Sequence, residues 1–154
     1  MKKVLLVLVA VLAFGTLSAQ KMWKNEVDEF TGSTVKITNY YNIATTSVGL
    51  IKASIARIDS FFYLKLKSTS DLGCAGARDN YVTIIFTDGT KITLDDDKAD
   101  IKCADSSSSM FSLDKDSPLF NKAVSKIRFR QSKYYTDGKT SGTYTLAQML
   151  GVIK

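Results

Sequence analysis

Cys74 and Cys103 are the only thiols in a chain of 154 residues that has no histidine. They stand equally far on either side of Asp88-Gly89 in the stretch "DLGCAGARDNYVTIIFTDGTKITLDDDKADIKC". Two thiols can serve as a redox pair, a metal site or a structural bridge. Redox pairs usually sit as C-x-x-C, which this chain lacks. A tetrahedral zinc site would need carboxylates to complete it, because two thiolates have no imidazole to join them. A disulfide between Cys74 and Cys103 is the expected reading, with two free buried thiols as its alternative. Closing that loop of about 29 residues would stabilise the fold by about 3.5 kcal/mol through the entropy of the unfolded chain.

The missing histidine also removes Ser-His-Asp and Cys-His catalysis within this chain. A lysine-activated nucleophile or a pair of carboxylates would remain possible. Asp59, Asp71, Asp79 and Glu29 could supply such a pair in space, and no spacing singles one out. No catalytic residue is therefore assigned, and no cofactor is implied. The acidic run Asp95, Asp96, Asp97 and Asp100 offers oxygen ligands of the kind calcium takes. It lacks the D-x-D-x-D-G order with a distal glutamate, so it reads as a solvated turn and no metal site is assigned. Asp114 and Asp116 suit the start of a helix, where the backbone dipole is positive.

Basic residues show more order. In "SKIRFRQSK", Lys126, Arg128 and Arg130 alternate with Ile127 and Phe129. In "FFYLKLK", Tyr63, Lys65 and Lys67 alternate with Phe62, Leu64 and Leu66. If the two strands are neighbours, one sheet face is cationic and carries a tyrosine. That face could meet an anionic glycan, a lipid headgroup or an acidic protein. The plainer reading is an amphipathic sheet whose outer face must be polar. Aromatic residues at nucleic-acid spacing are not evident.

The elements that would position these residues follow from periodicity. Residues 1–19 read as a secretory signal peptide. Lys2 and Lys3 precede an apolar run from Val4 to Phe14, and small residues lead to a cut between Ala19 and Gln20. Eleven apolar residues are too few to span a bilayer, which takes about 20, and no later segment is apolar enough. The formal charge of +6 falls to about +4 without Lys2 and Lys3, a mild excess far from a nucleic-acid footprint. Residues 20–154 then form one domain, large enough to bury a core.

Period-two alternation predicts strands over 33–41, 50–57 and 61–67. Asp28 to Gly32 reads as a turn. "YVTIIFTDGTKITL" predicts a hairpin with a two-residue turn at Asp88-Gly89, which would set Ile85 opposite Ile92 and Thr83 opposite Leu94. A polar serine-rich connection, 95–109, reads as an exposed loop, and "MFSL" as a short strand. Ser117 or Asp116 with Pro118 predicts a short helix near 118–124. "SKIRFRQS" returns to strand, and the second Thr-Asp-Gly, at 136–138, reads as turn chemistry. Leu146, Met149, Leu150 and Ile153 form a helical stripe near 145–153, with Thr145 as a cap and Gly151 weakening the last turn. The class expected is mainly β, with α+β as the variant. It is an antiparallel sandwich or a curved sheet with helical cover.

The leader ending "LSAQ", Trp23, "DEFTG" at 28–32, "IDSFFYLKL" at 58–66 and "DLGC" at 71–74 together resemble small exported proteins of Bacteroidota. The resemblance covers a third of the chain on short motifs. It implies a periplasmic or secreted setting and a β-rich domain, and it transfers no catalytic or ligand residue. The function expected is a non-enzymatic binding or structural protein of the cell envelope. Its partner would be a protein, a glycan or an anionic envelope surface. A histidine-free hydrolase or lyase built on carboxylates is the alternative. An inhibitor or immunity-type protein, plugging a partner with the loop "ADSSSSM", is a further one.

Overall fold

The computed structural model describes residues 22–70, 72, 80–95, 108–131, 134–140 and 145–153. Among these residues ten strands form one antiparallel sheet. They are β1 (Met22–Val27), β2 (Thr34–Thr38), β3 (Tyr41–Thr46), β4 (Leu50–Ile58), β5 (Phe61–Ser68), β6 (Tyr81–Phe86), β7 (Lys91–Asp95), β8 (Ser108–Leu113), β9 (Val124–Gln131) and β10 (Tyr134–Thr140). A 3₁₀ turn, Pro118–Phe120, precedes β9, and a helix, α1 (Leu146–Ile153), closes the described chain. The main path runs β8–β5–β4–β3–β10–β9–β6–β7. The sheet curls until its edges β7 and β8 come near each other, yet it does not close into a barrel.

β4 organises one half of the molecule. Its first half pairs with β3 and its second half with β2, while β5 takes the opposite edge. The single stretch 34–46 must therefore bend at Asn39 and Tyr40. Two hydroxyls seal the gap this leaves in the ladder. The backbone N–H of Ile55 donates to Thr38 Oγ1 at 3.0 Å, and Ser54 Oγ donates to the Thr38 carbonyl at 2.8 Å. Both residues are buried, where an unpaired backbone group would be costly. A register shift between Asn42 and Ala44 turns two successive residues, Ile43 and Ala44, into the core.

The inner face is the alternation foreseen from sequence. Ile51, Ala53 and Ile55 line β4, Leu64 and Leu66 line β5, and Ile127 and Phe129 line β9, all buried. Phe111 of β8 meets Phe129 edge to face, with ring centroids 6.3 Å apart. That contact joins the two arms of the curled sheet across its interior. α1 lies against β4, β2 and the 3₁₀ turn, burying Leu146, Met149, Leu150 and Ile153. A reciprocal capping box starts it. Gln148 N–H donates to Thr145 Oγ1 at 3.2 Å, and Thr145 N–H donates to Gln148 Oε1 at 2.8 Å. Arg57 ends it, donating from Nη1 to the Ile153 carbonyl at 3.3 Å, a cation at the negative end of the helix.

Several expectations need correction. The short helix near 118–124 is one 3₁₀ turn. The Thr87 N–H takes the Ala123 carbonyl at 2.9 Å and Val124 already pairs with Phe86, so strand pairing ends the helix early. The loop of the central hairpin has three residues, not two. Gly89 N–H donates to the Phe86 carbonyl at 3.0 Å, Phe86 N–H donates to the Thr90 carbonyl at 2.9 Å, and Gly89 has φ +82°. This is a turn followed by a left-handed bulge residue. The register slips by one, so Ile84 faces Ile92 and Thr83 faces Thr93. The symmetry that set Cys74 opposite Cys103 rested on the two-residue turn, and both cysteines lie outside the described residues. The second Thr-Asp-Gly is no turn. It runs through the middle of β10. β1 was not foreseen as a strand, and the last serines of the loop, Ser108 and Ser109, belong to β8.

Candidate functional site

Directly opposed residues in an antiparallel pair point to the same face. Across β10, β9, β6 and β7 the pairings therefore define three outward rungs. The first is Lys139, Lys126, Ile85 and Lys91. The second is Asp137, Arg128, Thr83 and Thr93. The third is Tyr135, Arg130, Tyr81 and Asp95. Successive rungs lie about 7 Å apart along the strands. An open groove of about 670 Å³ runs over the first two and reaches Tyr81 of the third, lined by Ile85, Thr83 and the three lysines among others.

The second rung is electrically closed. Arg128 Nε donates to Asp137 Oδ1 and Nη2 to Oδ2, each at 2.6 Å. The guanidinium also lies over the Tyr135 ring, 4.6 Å from its centroid. The bond from Arg128 holds the Asp137 carboxyl below the usual carboxylate range, and the same bond holds Arg128 above its ordinary value. In the third rung Arg130 sits over the Tyr81 ring at 5.5 Å and donates from Nη1 to its hydroxyl at 3.4 Å.

The first rung is different in kind. Lys91, Lys126 and Lys139 are all exposed, and among the described residues no carboxylate shares their rung. Lys126 and Lys139 are directly opposed, an arrangement that repels. The nearest outward carboxylate on β10, Asp137, is already held by Arg128. An anion seated between these lysines would relieve the repulsion and gain charge-assisted hydrogen bonds.

The sequence located part of this face. Lys126, Arg128 and Arg130 point outward from β9, with Ile127 and Phe129 inward, as foreseen. Lys65, Lys67 and Tyr63 also point outward, from β5. The two strands are not neighbours, however: β10, β3 and β4 lie between them. The expected single patch is therefore two. In the second patch Lys67 directly opposes Lys52 of β4, flanked by Ser108 and Asn42, and Lys65 opposes Ser54 and Met110. Sequence reasoning missed Lys91, Lys139 and Lys52. Lys139 was hidden because Thr-Asp-Gly was read as a turn. The alternation of Tyr135, Asp137 and Lys139 with Thr136 and Gly138 is the signal that would have found it.

Of the carboxylates that could supply a catalytic pair only Asp59 and Glu29 lie among the described residues, and they stand in different turns. Asp59 accepts from the Thr34 N–H at 2.8 Å and holds the β4–β5 turn with φ +53°. Glu29 sits exposed in the β1–β2 turn. Asp71, Asp79, Asp96, Asp97 and Asp100 lie outside the described residues, as do residues 104–107 of the expected plugging loop. Among the described residues, no group of three His, Cys, Asp or Glu gathers as a metal site. No helix of the described chain is long and apolar enough to cross a membrane.

No protein-family model matches the chain, and neither does any curated protein or solved structure.

Proposed function

We propose that the protein is an exported, non-enzymatic binding protein of the cell envelope whose outer sheet face holds an anionic glycan. The observation that carries the reading is the first rung, where Lys91 and Lys126 flank Ile85, Lys139 stands beyond Lys126, and none of the paired residues is a carboxylate. Carboxylate, sulfate or phosphate groups of a glycan suit such a rung, since each oxygen accepts from an ammonium. Exposed Tyr135, two rungs away, offers an aromatic ring to the apolar face of a sugar. The leader-like residues 1–19 and the resemblance to exported Bacteroidota proteins support a periplasmic or secreted location. In that oxidising setting Cys74 and Cys103 would bridge. Intact mass of the exported protein before and after reduction reads this directly.

The groove is tested by titrating the mature chain with the dimer of galacturonic acid, followed by amide chemical shifts. Shifts should cluster on the strands around Lys91, Lys126 and Lys139, and the K126Q/K139Q double variant should abolish them. Shifts elsewhere, or shifts that survive the double variant, would sink the reading.

A further inference from the structure

The two lysine patches lie on one face of one sheet, and the register connects them. Lys139 opposes Thr45 of β3, Thr45 opposes Leu50 of β4, and Lys52 stands two residues further along the same face. Lys52 opposes Lys67 of β5. The first rung thus continues across the sheet as Lys91, Lys126 and Lys139, passes the neutral Thr45 and Leu50, steps by one rung, and resumes as Lys52 and Lys67. From β7 to β5 this takes six strand-to-strand steps. At about 4.8 Å each, the path is about 29 Å long on the outer surface.

Three features of this arc point to a ligand. The rungs that carry it hold no carboxylate, being filled between the lysines by Ile85, Thr45, Leu50, Asn42 and Ser108. None of its five lysines has an ion pair among the described residues, a state that Lys36, Lys65 and Lys115 share and that Lys24, Lys122 and Arg128 do not. Two of its strand pairings set lysine directly against lysine, Lys126 with Lys139 and Lys52 with Lys67. Each such pair is unfavourable in isolation.

We infer that the arc binds one linear acidic polysaccharide, laid across the strands so that it engages both lysine patches at once. This rests on the anionic-glycan reading of the groove and extends it from a local site to a polymer track. The occupant follows from shape and charge. The arc bends with a curled sheet, so a flat bilayer would touch only part of it, whereas a flexible chain can follow it. The charges are spaced out along a line, which matches a polymer carrying one acid group per sugar better than a compact multivalent anion. Binding at two linked patches raises affinity with chain length, because the second contact becomes intramolecular.

The test compares galacturonic acid oligomers, a dimer and a decamer, on the full mature chain and two variants, by calorimetry. The decamer should bind the unaltered chain at least about tenfold tighter than the dimer. In K52Q/K67Q the dimer should bind as before, which also shows the fold intact, and the gain for the decamer should vanish. In K126Q/K139Q both should be lost. Equal affinity for the two oligomers, or a length gain that survives K52Q/K67Q, overturns the track while leaving the groove standing. Dimer binding that is absent from the outset overturns the groove and the track together. Tight binding of phosphatidylglycerol vesicles, or of a DNA oligomer, with no binding of the decamer assigns the arc to that other polyanion and overturns the inference.

Discussion

At the residue scale, the arrangement that decides the character of the groove is Asp137 with Arg128. Both side chains are about half exposed, at 53% and 48%, so the pair contributes under about 1 kcal/mol to folding. Its effect on the groove is larger, because it cancels the one cation that would otherwise stand between the lysine rung and the tyrosine rung. Asp137→Asn should therefore leave stability nearly unchanged and tighten the groove for the galacturonate dimer by about threefold. That is the size expected for one unit charge about 7 Å away in water. Calorimetry on the two proteins measures it, and weaker binding by the variant would show that Asp137 orders Arg128 for the ligand. The sign of the pH effect follows from the lowered Asp137 value. The small stability from the pair is fully present above the ordinary carboxylate range and is lost as pH falls through the lowered folded value. Asp88 obeys the same sign. The bond from Lys122, at 2.7 Å, with further ones from Thr90, holds its carboxyl far below the usual range.

At the element scale, the same tripeptide folds in two ways. Thr87-Asp88-Gly89 turns the chain, with Gly89 at positive φ and Asp88 Oδ1 accepting from the Thr90 N–H at 2.9 Å. Thr136-Asp137-Gly138 runs straight through β10. Composition cannot separate them. What separates them is the tertiary neighbour: Asp137 is met by Arg128 across the ladder, and Gly138 is met by β3. A Cβ on Gly138 would lie 2.7 Å from Ala44 Cβ and 3.3 Å from both Ile51 Cδ1 and the Thr45 carbonyl oxygen. Gly138→Ala should therefore destabilise by about 1–3 kcal/mol through overpacking. Urea unfolding checks this, and a midpoint unchanged from the parent protein would contradict the close packing of β3 against β10. The legibility of the sequence divides along the same line. Strands with a clear period of two, such as "FFYLKLK" and "KIRFR", were legible because one face meets the core. β1 was not, since it packs little: Trp23 is 69% exposed and Val27 61%. The hairpin was legible but its register was not, because Asp-Gly serves two-residue and three-residue loops alike.

At the scale of the whole molecule, the sequence conveyed a mainly β, antiparallel, curved architecture with a C-terminal helix, and the structure has it. The order of the strands was beyond reach. β5 and β9 share a sequence pattern but lie apart, since strand order depends on long-range pairing that periodicity does not encode. The overall charge has its own consequence. The chain has no histidine, the side chain whose charge ordinarily changes between about pH 5 and about pH 8. Binding of a sulfated oligosaccharide, whose own charge is constant, should stay flat between about pH 5 and about pH 8 and fall with added salt. A step in affinity within that window, seen by calorimetry, would point to a titrating group other than those on the arc. The joint between β3 and β10 carries a further consequence, in the order of assembly. It consists of three pairings, Ala44 with Thr140, Thr45 with Lys139 and Thr46 with Gly138, and it links the first third of the chain to the last. Closing so long a loop costs entropy before any contact repays it. Lys91, Lys126 and Lys139 stand on one side of that joint, and Lys52 and Lys67 on the other. The arc is thus continuous only once the joint has formed, and a chain laid along it would act as a splint across the strand pairing of longest sequence separation.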